Sequence, residues 1–291
     1  MPRVISRHGI AVKLFVLLIL LAPVFALAVD VGSFATTYIP DTNSSQPDEL
    51  TDPGSALSDR SPNCDDEAEG VSDIIEKKIK KSYSLNNVSI LVRAIYQTRE
   101  FEERFLKIGL GYRVLGGIRF YERAEVKDAI SYLRIVNQKF DDLALERVIG
   151  APKKGIGDAT LKKIYDFGGK NKLCLEDAIL KLIQSDQFKP KIKKTFSILI
   201  KMIEKWRNEA KTIKHYDLLK LILDESGYSA TLKNKKDLEN ENRLENLKEL
   251  LRAMQDYENL QNFLEHVSLA TSADQEWEGE KVNLMTMHAA K

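Results

Sequence analysis

The sequence predicts an α/β layer that is interrupted by an all-helical unit and then resumed. Helix and strand patterns alternate over residues 65–117, and helical periodicity dominates the unit assigned to residues 118–278. A strand pattern, KVNLMTM, returns within residues 279–291. Alternating helix and strand builds α/β layers, whereas a sustained 3.6-residue period builds helical units. The chain is therefore expected to leave one domain, build a second and return to the first.

The first two helix–strand pairs form the start of the α/β layer. DDEAEGVSDIIEKKIKK begins with acids and ends with lysines, as the helix dipole prefers. NVSILVRAI has the pattern of a short buried strand. EFEERFLKIG is predicted to be a helix that ends at Gly109, and YRVLGG a second strand that leads into a glycine turn.

Seven amphipathic segments predict the helical unit. They are VKDAISYLRIV, LALERVIG, LEDAILKLI, FSILIKMIEKW, YDLLKLILDES, RLENLKELLRAM and LQNFLEHVSL. Residues 151–240 contain 20 Lys and Arg against 12 Asp and Glu, although the net charge of the chain is only +1. The local excess of positive charge therefore says more about partners than the net charge does.

Two segments precede these units. Residues 1–28 have the pattern of a secretory leader: Arg3, Arg7 and Lys13 precede an apolar run, and Ala-Leu-Ala at 26–28 matches a signal-peptidase site. We expect a cleaved leader, with a signal anchor as the alternative, and no stable membrane span after cleavage. Residues 29–64, rich in Ser, Thr, Pro and Asp, are predicted to be a disordered acidic linker.

The stretch KKGIGDATLKKI, residues 153–164, joins a Gly-x-Gly turn to the start of a helix. Such a turn leaves backbone N–H groups unpaired where the helix dipole favours an anion. Lys153 and Lys154 before the turn, with Lys162 and Lys163 after it, would attract a nucleic-acid phosphate. The pattern GIGxxTLxxI resembles a helix-hairpin-helix DNA-backbone binder. From these residues alone, a plain helix–helix turn with a solvated basic face remains the alternative.

Five segments extend the resemblance to a whole family. In order and spacing, these segments resemble motifs of the UvrD/PcrA/Rep superfamily-1 DNA helicases. They are ILVRAIYQTREFEERF, YRVLGGIRFYERAEVKDAISYLRIV, ERVIGAPKKGIGDATL, NRLENLKELL and VNLMTMHAAK. The resemblance covers residues 65–291. It implies that the α/β part belongs to the second RecA-like domain of P-loop NTPase type, called 2A. It also implies that the helical part is the 2B subdomain inserted within 2A.

The resemblance implies that the glycine turn contacts the backbone of duplex DNA. The family pattern Thr-Pro-x-Arg-Gly-Ile-Gly is Ala-Pro-Lys-Lys-Gly-Ile-Gly here, so a lysine keeps the charge of the arginine and loses its bidentate fork. The residues expected to bind the duplex are Lys153, Lys154, Gly155, Ile156, Gly157, Asp158 and Thr160.

The resemblance also implies a single-strand site in VNLMTMHAAK, which is similar to helicase motif V. There Thr286 and His288 would lie beside single-stranded DNA, and each can donate a hydrogen bond to a phosphate oxygen. The sequence ends at Lys291, where the family continues with Gly-Leu-Glu-Phe, so the return to 2A is expected to be truncated within this motif.

A junction motif between 2A and 2B is implied by further matches. Its residues are Arg93, Gln97, Arg99, Gly116, Gly117, Arg123 and Lys127. The tyrosine that the family has before the first of these arginines is Val92 here. For the charged members we favour a structural ion-pair network over direct contact with the substrate.

ATP and Mg²⁺ are the cofactors of the intact family, but this chain alone is expected to bind neither. The 291 residues contain no GxxxxGK[ST] phosphate loop. The nearest match, at residues 168–171, has Ile164 in place of the first glycine of the motif and Asn171 in place of the Ser/Thr. LILDE at 221–225 imitates a Walker B strand but continues a helical register. Cys64 and Cys174 match no metal or redox spacing, and no metal site is expected.

The function expected from the resemblance is that of a fragment of an ATP-dependent 3′-to-5′ DNA helicase in DNA unwinding and repair. Its partners would be single-stranded DNA, a duplex junction and the missing 1A and 1B domains. A non-catalytic DNA-binding protein, a secreted binding module and a chimeric gene product stay open as alternatives. The leader implies secretion, whereas the helicase-like body implies the cytoplasm or nucleoid.

Overall fold

The computed structural model describes residues 27–30, 36–37 and 64–290, apart from 186, 235–236 and 273–278. Most of the predicted leader and linker therefore lies outside the described residues. The described part has two hydrophobic cores, one in a helical unit and one in a sheet unit.

The sheet unit contains five strands and two α-helices within the described ranges. In chain order they are β1 (Leu27–Asp30), β2 (Thr36–Thr37), α1 (Cys64–Ile79), β3 (Val88–Val92), α2 (Thr98–Ile108), β4 (Tyr112–Leu115) and β5 (Val282–Thr286). The helix–strand–helix–strand order before the helical unit and the strand after it are confirmed.

The last strand of the chain lies in the middle of the sheet. The strand order is β2-β1-β3-β5-β4, and β3, β5 and β4 run parallel. The register pairs Val92 with Thr286 and Leu115 with Met285. Leu284, at the centre of β5, is completely buried. β3 and β4 are not neighbours, and β5 fills the position between them. The sheet is therefore complete only after the chain has returned from the helical unit.

Two short strands occur where a leader and a linker were predicted. β1 pairs antiparallel with β3 on the side away from β5, and β2 pairs with β1. No strand was predicted at these positions. β1 forms hydrogen bonds with backbone groups of β3 that would otherwise be unpaired at the edge of the sheet. Because β1 includes Ala28, cleavage at the predicted leader site would divide this strand.

Nine α-helices form the helical unit among the described residues. They are α3 (Ala124–Asn137), α4 (Asp142–Gly150), α5 (Asp158–Asn171), α6 (Leu175–Gln184), α7 (Pro190–Glu209), α8 (His215–Glu225), α9 (Tyr228–Lys233), α10 (Leu238–Gln255) and α11 (Leu260–Ser272). Leu106 of α2 packs against both the helical core and the sheet core. No helix in the described ranges combines the length and apolarity that a membrane crossing requires.

The two stretches that resemble nucleotide-binding motifs are both helical. Residues 168–171 form the last turn of α5, and residues 221–225 end α8, as the helical register predicted. A Cβ atom at Gly168 would lie 3.1 Å from the carbonyl oxygen of Leu173 and 3.5 Å from Cβ of Ala178. This glycine therefore serves the close packing of α5 on α6.

We predict that Leu284→Ala lowers the free energy of unfolding by about 2–5 kcal/mol, because it leaves a cavity at the central strand. A denaturant titration followed by circular dichroism measures the change. Met287→Ala is the control, because Met287 lies just beyond β5 and is 49% exposed. The control should change the free energy by less than about 0.5 kcal/mol. Equal effects of the two substitutions would contradict a buried, central β5.

Candidate nucleic-acid interface

The loop between α4 and α5 ends in the turn of residues 155–157, whose members have different environments. Gly155 is exposed and has φ +74°, a backbone conformation that favours glycine. Ile156 is half-buried and packs against the helical core. Gly157 is exposed and precedes α5 in extended backbone, with φ −100° and ψ 169°. Ile156 therefore anchors the turn, while both glycines are open to solvent.

Packing does not require glycine at position 157, the N-cap of α5. A Cβ atom built at Gly155 or Gly157 meets no other atom within 4 Å. At Gly155 the positive φ still favours glycine. At Gly157 the extended backbone suits any residue. Neither packing nor backbone conformation therefore requires glycine at position 157.

The two lysines before the turn also differ. Lys153 is exposed. Nζ of Lys154 donates to the carbonyl oxygens of Val148 at 2.7 Å and Pro152 at 3.1 Å, and to the hydroxyl oxygen of Tyr132 at 3.3 Å. Burial lowers the pKa of Lys154 to about 8. The amino group of Lys154 thus holds the loop to the end of α4, and the predicted contact of this lysine with DNA would have to compete with these hydrogen bonds.

The remaining predicted residues lie in the first turn of α5. Asp158 is exposed and Thr160 is half-buried. The backbone N–H of Thr160 donates to the carbonyl oxygen of Gly157 at 2.9 Å, whereas residues 158 and 159 are at positions where an α-helix offers no acceptor. Lys162 and Lys163 follow on the exposed side of α5. The turn thus combines open amide groups with basic side chains.

A second group of predicted residues lies at the carboxyl ends of the three parallel strands. Arg93 follows β3, Gly116 and Gly117 follow β4, and Thr286 ends β5 with His288 two residues beyond. The strand register brings these ends side by side. Arg93 and His288 are exposed, and Thr286 is half-buried. Open parallel sheets bind ligands at this edge, so the predicted single-strand residues lie at a position that suits binding.

Gly116 and Gly117 differ from Gly157 because other parts of the fold lie close to them. A Cβ atom at Gly116, where φ is +69°, would lie 2.6 Å from Cβ of Ala289. A Cβ atom at Gly117 would lie 2.8 Å from Cδ1 of Ile95. Gly116 thus allows the loop after β4 to approach the segment after β5, and Gly117 lies close to the segment after β3.

A buried polar network joins the sheet unit to the helical unit. Nε of Arg99 donates to Oε1 of Glu249 on α10 at 2.7 Å. Arg123 donates to Oδ1 of Asn246 at 2.7 Å and to Oγ1 of Thr98 at 2.8 Å. All five residues are buried. Arg99 and Arg123 therefore take part in a buried polar network at the junction of the two units.

Two other residues of the predicted junction motif make local contacts. Oε1 of Gln97 accepts a hydrogen bond from the backbone N–H of Ala94 at 2.9 Å, just before α2. Nζ of Lys127 lies 3.9 Å from a carboxylate oxygen of Glu122, and both side chains are exposed. An exposed pair at this distance contributes little to stability.

Asn246 and Glu249 received no individual role from the sequence. Both are buried on α10, on the same helical face as Leu250 and Ala253. Polar residues at buried positions of an amphipathic helix indicate that hydrogen-bond partners exist. The periodicity does not show where in the chain those partners lie, which is why the network was only a general expectation.

Comparison with known proteins decides the family. Residues 41–291 match the UvrD-like helicase C-terminal domain. The chain belongs to this family. It is 37% identical over 240 residues to DNA helicase II of Rickettsia typhi, covering 81% of this chain and 36% of that protein. It is 33% identical over 234 residues to the ATP-dependent DNA helicase PcrA of Staphylococcus epidermidis, covering 78% of this chain and 32% of that protein. The chain spans about a third of the length of these relatives.

The match of this UvrD-like domain includes every predicted site residue. The glycine turn, the carboxyl edge of the sheet and the junction network all lie within residues 41–291. The predicted leader, residues 1–28, lies outside the matched range.

We predict that Asn246→Ala in this UvrD-like domain lowers the free energy of unfolding by about 1–3 kcal/mol. The substitution removes an acceptor for Arg123 and a donor to Glu125, and it leaves both charged groups buried. Chemical denaturation measures the loss. Lys248→Ala, at an exposed position of the same helix, is the control and should be nearly neutral. If Asn246→Ala were equally neutral, the network would not hold the junction.

Proposed function

We propose that this chain forms the 2A and 2B portions of a UvrD-type ATP-dependent 3′-to-5′ DNA helicase that acts in DNA unwinding and repair. In this proposal the sheet unit belongs to the RecA-like 2A domain, and the helical unit is the 2B subdomain inserted within it. The family match and the helicase relatives favour this function over a secreted binding module.

The observation that carries the proposal is the environment of Gly157. Its backbone is extended, a Cβ atom would meet nothing within 4 Å, and the residue is exposed. The protein therefore has room for a side chain at this position. A DNA backbone that approaches the start of α5 would occupy the same space, so a glycine there is explained by an external partner.

The turn is suited to hold a phosphate group of duplex DNA. The N–H groups at the start of α5 can donate to a phosphate oxygen, and the helix dipole favours the negative charge. Exposed Lys153 adds electrostatic attraction. Lys154 acts indirectly, because it fixes the loop that carries the turn. The helical unit would thus position the duplex without reading its sequence.

The carboxyl edge of the sheet is proposed to hold the single strand. The hydroxyl of Thr286 and an imidazole N–H of His288 can donate to phosphate oxygens, and exposed Arg93 adds positive charge beside them. Contacts of this kind fix the position of the backbone and carry no sequence information. They suit a protein that acts on DNA of any sequence.

Nucleotide chemistry is assigned to other parts of the helicase. In the intact family ATP and Mg²⁺ supply the energy for movement along DNA, and the 1A domain carries the phosphate loop. The sequence of this chain has no GxxxxGK[ST] motif. We therefore assign DNA holding to this chain and expect ATP hydrolysis to require the 1A and 1B domains.

We predict that Gly157→Thr weakens the binding of the full 291-residue chain to duplex DNA by at least about tenfold, a loss of about 1.4 kcal/mol. Threonine suits extended backbone and caps a helix about as well as glycine, so the free energy of unfolding should stay within about 0.5 kcal/mol. Fluorescence anisotropy with a labelled duplex that has a 3′ single-stranded tail measures the affinity.

The matched control for this substitution is Gly169→Thr. Gly169 is also exposed and open, but it lies near the far end of α5. The control should bind DNA like the unchanged chain. Unchanged affinity of Gly157→Thr would remove the turn from the interface, and a failure of the unchanged chain to bind the duplex would overturn the proposed function.

We predict opposite effects for the two lysines before the turn. Lys153→Gln should reduce the slope of log affinity against log salt concentration by about 0.9, because one fewer phosphate is neutralised, and should leave stability unchanged. Lys154→Gln should lower the free energy of unfolding by about 1–3 kcal/mol, because buried carbonyl oxygens lose their donor, and should leave the slope unchanged. A slope that falls with Lys154→Gln would return this lysine to the interface.

A further inference from the structure

α7 carries a stripe of exposed lysines along one side. Residues 191, 194, 198, 201 and 205 follow each other at intervals of three and four, so they lie on one face of this 20-residue helix. All five are exposed, and four of them are lysines. Lys189, which immediately precedes the helix, is exposed as well. We use the term lysine stripe for Lys189, Lys191, Lys194 and Lys201.

The lysine stripe forms no ion pair among the described residues. Residues 187–203 contain five lysines and no Asp or Glu. In the part of the chain that the structure describes, no carboxylate oxygen lies within 4 Å of the ammonium groups of the stripe. Lys205 differs, because it forms an ion pair with Glu225. The positive charge of the stripe is therefore open to an external partner.

The position of these lysines is unfavourable for the helix itself. Lys189, Lys191 and Lys194 lie at the N-terminal end of α7, whose first turn has no acid, and the helix dipole disfavours cations there. Lys191 and Lys194 are also spaced so that like charges repel on a helix. Among the described residues no ion pair of these lysines offsets these effects, whereas a polyanion would.

The beginning of α7 lies against the helix that the glycine turn opens. Nζ of Lys163, on α5, donates to the carbonyl oxygen of Gln187 at 2.6 Å and lies 5.9 Å from the ring centroid of Phe188. The ring of Phe188 in turn stacks on Phe196 of α7 at 5.4 Å. Lys163 is six residues from Gly157, about 9 Å along the helix. Basic residues therefore connect the turn to the lysine stripe.

We propose that the lysine stripe of α7 is a second binding surface for the phosphate backbone of duplex DNA. The inference rests on the proposed function and extends the interface beyond the glycine turn. From Lys191 to Lys201 the stripe is about 15 Å long, the length of about four base pairs. Its flexible ammonium groups suit phosphates at variable positions and provide no sequence specificity.

The test compares two triple substitutions in the full chain. One changes Lys191, Lys194 and Lys201 to Gln; the control changes Lys107, Lys220 and Lys233, which are exposed on other helices, to Gln. Both remove the same charge. The affinity for a blunt duplex of about 20 base pairs is measured over a range of salt concentrations, and the stability of both variants is measured by thermal unfolding.

We expect the stripe variant to reduce the slope of log affinity against log salt concentration by roughly 2 to 3, at about 0.9 for each phosphate that is no longer neutralised. The control should change the slope by less than about 0.5. The stripe variant should be at least as stable as the unchanged chain, because lysine repulsion is removed. Equal slopes for the stripe and control variants would overturn the inference.

Two further outcomes separate this inference from the proposed function. If Gly157→Thr weakens duplex binding while the stripe variant keeps the original slope, the stripe inference fails and the proposed function stands. If the unchanged chain does not bind the duplex, both fail.

Poly-L-glutamate serves as a second probe. If its binding depends on the lysine stripe while binding of the duplex does not, the surface is assigned to an acidic protein and the inference is overturned.

Discussion

The position of β5 between β3 and β4 is the constraint on which the rest of the structure depends. β3 and β4 precede the helical unit and β5 follows it, so neither flanking segment completes the sheet alone. Arg93 and Thr286 become neighbours at the carboxyl edge only because the chain returns. The proposed single-strand site is thus built from both sides of the helical unit, and its geometry depends on how that unit brings its two ends together.

The orientation of the helical unit against the sheet unit relies on polar contacts. Arg99 of α2 reaches across to Glu249 on α10, and Arg123 of the helical unit reaches across to Thr98 of α2, while Leu106 is an apolar residue that packs against both cores. Burying charges costs desolvation, so such a network adds less stability than apolar packing would. Its hydrogen bonds are directional, however, and fix one relative orientation. The distance between the glycine turn and the carboxyl edge therefore depends on these bonds.

Features that depend on near neighbours in the chain could be predicted from the sequence. Gly109 ends α2 in the left-handed conformation, and residues 221–225 are helical as their register indicated. The sequence could not show that Lys154 bonds to backbone carbonyl oxygens, because such partners leave no trace in the side-chain pattern. Asn246 was missed because its partner Arg123 lies on a distant segment. β1 was not predicted because its pairing depends on the open edge of β3.

A residue type that neither packing nor backbone conformation requires can indicate a binding partner. Gly116 is required by its contact with Ala289 and by its backbone, so it would be a glycine in any protein with this loop. Gly157 is required by neither, and the lysines at the start of α7 work against the helix that carries them. Departures from local rules without internal compensation are expected at functional sites. An open glycine and uncompensated lysines on adjoining helices would both be explained by one polyanion that approaches closely.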